Sequence, residues 1–191
     1  MLGGLLSMIL VTVGGFITMM LLIRTAMRWM RVSFVNQLGQ FVLATTNWIV
    51  LPAQRLFPSM GRLDLSALIP AWGIQVLLTV LTVVLVGASF GNPVTALGGV
   101  LAVGALDVVK SALYLLMFAV IVGAVLSWVN PHSPLAPALN VLTRPFLAPF
   151  RRVIPPISGI DLSPLVLLLV VQIALYVLQH LRGAFFMLII S

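Results

Sequence analysis

Four stretches of the chain are apolar on every face, and most of the polar residues fall between them. A membrane-crossing helix needs roughly 20 consecutive apolar residues. Leu2–Ile23 meets that need and runs on toward Trp29. Leu65–Ala88, a segment within Val94–Val129, and Pro164–Leu181 follow. No stretch makes a convincing strand. The pattern predicts an all-α membrane protein with four transmembrane helices.

The third stretch is too long for one crossing, and Asp107 and Lys110 interrupt it. A charge in mid-bilayer is costly. The simplest arrangement puts Ala112–Val129 in the membrane, with Lys110 snorkelling at its start. Val94–Leu106 then lies along the interface or lengthens the same helix outward. Asp107 and Lys110 are three residues apart, on one helical face, where they can pair.

The connections at 33–63 and 131–161 are long for loops and strongly apolar, as in Phe41-Val42-Leu43 and Phe146-Leu147-Ala148-Pro149-Phe150. Their prolines break continuous helix. They read as amphipathic segments, interfacial or re-entrant, with arginines toward lipid headgroups and apolar side chains toward the acyl region. Two further crossings are the less favoured reading.

Composition agrees with a bilayer setting. The 191 residues are 62% hydrophobic and 7% charged, against roughly 45–50% and about 25% in soluble domains. The net charge of +7 would suggest nucleic acid in a soluble protein. Here the cations sit mainly in the connections, and no basic patch is interleaved with stacking aromatics. Arg24, Arg28, Arg31, Arg55 and Arg62 flank the first connection, and Arg144, Arg151 and Arg152 the second. The positive-inside bias puts both on the cytoplasmic side and both termini outside, in the periplasm of a bacterial inner membrane. Cysteine is absent, which excludes disulfides and thiolate chemistry. No basic n-region precedes the first apolar run, so it reads as a retained helix and not as a cleaved signal.

Self-comparison adds an internal repeat. At a spacing of 97 residues Thr46 matches Thr143, Pro52 matches Pro149 and Arg55 matches Arg152. Pro58 matches Pro155, Asp64 matches Asp161, Ser66 matches Ser163 and Gln75 matches Gln172. Trp29 and Trp128 correspond if the first copy carries two extra residues before Thr46. The units are 1–91 and 92–191, each with two spans. An even number of spans returns the chain to its starting side, so the copies lie parallel, unlike inverted repeats with odd span counts.

The run Thr143-Arg-Pro-Phe-Leu-Ala-Pro-Phe-Arg-Arg-Val-Ile-Pro-Pro, with Gly159-Ile-Asp-Leu-Ser-Pro, resembles the signature of the YggT family, also called YlmG. The resemblance covers both copies. The first departs from it, with Trp48 in place of Pro145 and Gln54 in place of Arg151. It implies a bacterial inner-membrane protein of poorly defined molecular activity, linked to osmotic tolerance and ion homeostasis. Relatives of the family are linked to cell division and to plastid nucleoid or photosystem organisation.

Candidate functional residues follow from the repeat. Asp64 and Asp161 precede spanning helices in Asp-Leu-Ser. Ser66 and Ser163 accompany them, and Ser163-Pro164 fits an N-cap with proline at the first helical position. Capping is favoured over an Asp–Arg pair, though the two can coexist. Arg55, Arg144, Arg151 and Arg152 suit anionic lipid phosphates or a partner protein; topology control alone is the bland alternative. Gln75 and Gln172, inside spans, need partners in lipid, and hydrogen bonds between repeats or protomers supply them most simply. Trp29 and Trp128 fit interfacial anchors. Gly87 and Gly91 have GxxxG spacing but fall where a helix ends, so a turn is expected.

No catalytic, cofactor or metal site is expected: His132 and His180 stand alone, and no glutamate is present. Two functions compete. One is a non-catalytic organiser of envelope components or membrane complexes, binding anionic phospholipid, membrane proteins or further copies of itself, and no nucleic acid. The other is an oligomeric channel or transporter for a small ion or osmolyte.

Overall fold

The computed structural model describes residues 2–59, 61, 63–130, 133, 135–153 and 161–190, without the side chains of Leu2 and Trp128. Among these residues the regular structure is six helices: α1 (Leu2–Trp29), α2 (Gln37–Leu56), α3 (Leu65–Val86), α4 (Pro93–Val129), α5 (Ala136–Val153) and α6 (Ser163–Ile190). Helices α1, α3, α4 and α6 are each long and apolar enough to cross a membrane. Leu5, Met8, Phe118, Ile173 and Val177 point outward from the bundle, as lipid contact requires. The chain is an all-α, multi-pass membrane protein.

The third apolar stretch is one unbroken helix of 37 residues. Lys110 lies at its middle and not at the start of a shorter span. Asp107 is accommodated in the continuous helix because its side chain finds a charged partner beside it. Asp107 pairs with Arg182 of α6, Nε to Oδ1 at 2.8 Å, and not with Lys110. Helix α6 runs on past Leu181 to Ile190, so Arg182 is inside it.

Helices α2 and α5 replace the broken connections expected. Pro52 lies inside α2, and Pro145 and Pro149 inside α5. A proline removes one N–H donor and crowds the carbonyl four residues back. Tertiary packing outweighs that local cost: Val50 of α2 packs on Leu21, Ala67 and Ala71, and Leu147 of α5 packs on Val120, Leu167 and Val171. These two clusters are repeat equivalents, since Val50 and Leu147 stand at matching positions. A third cluster joins the copies through Val83 of α3, Val100 and Val103 of α4, and Ile189 of α6.

Small residues set the close approaches. A Cβ on Gly104 would lie 2.6 Å from Val76 Cγ2 and 3.1 Å from Val76 N. Gly87 ends α3 in the left-handed region at φ 75. Its N–H donates to the Val84 carbonyl, and the Ala88 N–H to that of Val83, which closes the last turn. The end of α1 is built the same way with Arg31 at φ 56.

Candidate functional site

The polar chemistry of the first copy gathers where α1 ends and α3 begins. Asp64 is 1% exposed and flanks α3, but its side chain makes no capping hydrogen bond. It accepts a hydrogen bond from the Ser66 hydroxyl. Arg24 Nε lies 3.7 Å and Arg28 Nη1 3.4 Å from its Oδ2. Arg24 Nη1 also donates to Thr46 Oγ1 at 2.9 Å and to Asn47 Oδ1 at 2.7 Å, and Arg28 Nη2 donates to the Ser59 hydroxyl. One carboxylate between two guanidiniums ties α1, α2 and α3 together. At Asp64 the ion pair takes the place of the expected cap, because two arginines from α1 reach the carboxylate first.

The second copy solves the same problem differently. Gly123 and Ser127 of α4 stand where the first copy has Arg24 and Arg28. Asp161 Oδ2 instead meets Arg151 Nε of α5 at 2.8 Å, with the two side chains 39% and 51% exposed. Its Oδ1 accepts the Ser163 N–H at 2.9 Å. Here pairing and capping coexist. Burial alone would raise the Asp161 carboxyl. The Ser163 N–H and the Arg151 guanidinium outweigh it and hold the group below its ordinary range. Ser163 is itself buried, and among the described residues its hydroxyl makes no hydrogen bond, so it does not serve there as the side-chain N-cap. Gln54 stands where Arg151 would be in the first copy, and Arg24 and Arg28 supply the missing charge.

Arg144 and Arg152 of α5 and Arg55 at the end of α2 are exposed. On α5 the opposite face carries Ala138, Leu142, Thr143 and Leu147, all buried. Trp29 is the last residue of α1 and is 45% exposed. The Trp128 side chain, His132 and Pro155–Pro156 lie outside the described residues.

The two intramembrane glutamines diverge. Gln75 is buried and its Nε2 donates to Thr18 Oγ1 at 3.2 Å, so its partner is on α1 of the same copy and not across repeats. Met117 occupies the place of Thr18 in the second copy, and Gln172 is exposed on α6. Gln75 has further polar company that the sequence did not suggest. It lines a cleft of about 240 Å³ with Thr79 and Thr82 of α3, Asp107 and Lys110 of α4, and Arg182 of α6.

Comparison with known proteins bears on both copies. The CCB3/YggT family profile matches residues 4–85 and again 102–182. The chain belongs to this family. A relative from Vibrio alginolyticus, described as an uncharacterized protein in the proC 3′ region, is 33% identical over 93% of this chain and 95% of its own length. The uncharacterized protein YggT of Escherichia coli strain K12 is 34% identical over 88% of this chain and 86% of its own. An uncharacterized protein of Pseudomonas aeruginosa is 33% identical over 82% and 79%. No solved structure matches.

The Asp-Leu-Ser positions of this chain thus sit at the starts of α3 and α6, and the Pro-x-x-Arg positions in the last turns of α2 and α5. Sequence reasoning placed Arg24 and Arg28 among topology signals and missed their role beside Asp64. The signal was available: two arginines four residues apart inside an apolar helix need a buried counter-charge. Thr18, Asn47 and Arg182 carried no comparable signal.

Proposed function

We propose that this protein is a non-catalytic organiser of the bacterial inner membrane, holding anionic phospholipid and membrane complexes on its arginine-bearing α2 and α5. The observation that carries the reading is the two-sided build of α5. Leu142 and Leu147 pack inward with Phe146 and Phe150 half-buried against the same core, while Arg144, Arg151 and Arg152 face out. A helix with an apolar face and a cationic one suits the headgroup boundary. Guanidiniums there bind lipid phosphate in two-pronged fashion. The reading puts the arginine-rich end in the cytoplasm and both termini in the periplasm, following the positive-inside bias. Family resemblance adds a role in osmotic stress tolerance.

Native mass spectrometry of the detergent-extracted protein tests this directly. Retained phosphatidylglycerol or cardiolipin is expected to fall when Arg144, Arg151 and Arg152 are together changed to alanine. Unchanged retention would reduce these arginines to topology markers. Proteoliposomes are expected to show no potassium, sodium or osmolyte flux; flux would favour the channel or transporter instead.

A further inference from the structure

The cleft beside Gln75 holds charges that neither lipid contact nor topology explains. Lys110, the chain's one lysine, lies near the middle of α4, roughly 25 Å from either helix end at 1.5 Å per residue. Gly104, two turns before it, faces Val76 in the middle of α3. The charges therefore lie near mid-span, half-buried between the helices, where a cation without a counter-charge is costly.

Asp107 does not supply that counter-charge. Both of its carboxylate oxygens are taken by Arg182 Nε, at 2.8 and 3.1 Å. Among the described residues no carboxylate lies within 4.0 Å of Lys110. The Lys110 ammonium rests over the Tyr114 ring at 5.9 Å, which compensates little of the charge.

The hydroxyls around the cleft sharpen the choice of ligand. Thr79, Thr82 and Ser111 each donate to the carbonyl one turn back, at 2.9, 2.7 and 2.8 Å. Their protons are thus committed to backbone. The donors left among the lining side chains are the Lys110 ammonium, the terminal nitrogens of Arg182, the Tyr114 hydroxyl and the second Gln75 amide hydrogen. Two cations against one carboxylate leave one net positive charge in a low-dielectric space of about 240 Å³. One monovalent anion neutralises it. A cation would add to the excess, and lipid phosphates lie at the bilayer surface, about 15 Å from its midplane.

We propose that the cleft between α3, α4 and α6 binds a small monovalent inorganic anion on Lys110, with the Asp107–Arg182 pair fixing the surrounding charge. The site is independent of the lipid contacts assigned to α5, and it concerns binding, whatever becomes of transport.

Chloride-35 line broadening tests it, using the full chain in nanodiscs of zwitterionic lipid. Wild-type protein should broaden the chloride resonance, and bromide should reverse the effect where gluconate does not. Lys110→Met should weaken binding at least about tenfold, as expected when one partner of a buried charge contact is removed. Lys110→Arg should retain binding. Equal broadening by wild type and Lys110→Met would overturn the proposal by placing chloride on surface arginines. Should Lys110→Met fail to fold, wild type and Lys110→Arg still decide: absence of bromide-reversible broadening in both overturns it.

Discussion

Arg182 grips both carboxylate oxygens of Asp107 through a single Nε, at 2.8 and 3.1 Å. The two residues are 75 positions apart in sequence, and their contact ties α4 to α6. The same guanidinium stands over Phe186 at 6.0 Å. Among the described residues, each charge within α1, α3, α4 and α6 meets another, with Lys110 as the exception.

The two repeat aspartates should differ sharply in worth. Asp64 is 1% exposed between two guanidiniums. Asp64→Ala leaves Arg24 buried and uncompensated, and is expected to cost about 3–5 kcal/mol. Asp161→Ala breaks an exposed pair and should cost about 1 kcal/mol or less. Thermal unfolding of both variants in one detergent measures the difference.

Asp161 also sets a pH dependence. Its folded carboxyl titrates below its ordinary value, so the folded state binds this proton less readily than the unfolded chain does. Its contribution is complete above the ordinary aspartate value of about 3.9 and fades as pH falls through the lower folded value. Melting temperatures of wild type and Asp161→Asn should converge in that acid range and separate above it.

Gln75 and Gln172 match in sequence but not in environment. Gln75→Leu removes the bond to Thr18 and should cost about 0.6–1.7 kcal/mol in a double-mutant cycle with Thr18→Val. Gln172→Leu should leave the monomer's stability within about 0.5 kcal/mol of wild type. Equilibrium unfolding of wild type, the two single variants and the double variant of the cycle, and Gln172→Leu supplies the comparison.

Two glycines of α4 should respond with opposite sign to the same change. Gly104→Ala pushes a methyl against the stiff Val76 side chain and its backbone, at a cost of about 1–3 kcal/mol. A Cβ at Gly98 meets nothing within 4 Å, so Gly98→Ala should stabilise the helix by about 0.5–1 kcal/mol. Paired melting curves read both.

Four spans were legible because lipid-facing helices leave an unbroken apolar record, and the family because polar matches such as Asp64 with Asp161 are scarce in so apolar a chain. The continuity of α4 was not legible. A charge at 107 argues for a break until Arg182 is seen beside it. Helices through Pro145 and Pro149 escaped for a related reason, since the packing of Leu147 on Val120 and Leu167 is absent from local propensity. At the candidate site the Asp-Leu-Ser positions could be named, but not the partners. Arg24 and Arg28 serve Asp64 where Arg151 serves Asp161, and only folding shows that the copies draw their cations from different helices.

Placement of α2 and α5 on one side of the membrane carries the whole account. The chain has no cysteine, so single cysteines can be introduced cleanly at Leu56, 75% exposed, and at Val153, 80% exposed. Labelling with a membrane-impermeant maleimide, from each side of sealed vesicles in turn, should mark both positions from the cytoplasmic side alone. Labelling of the two from opposite sides would contradict the parallel repeat and the shared arginine-bearing face.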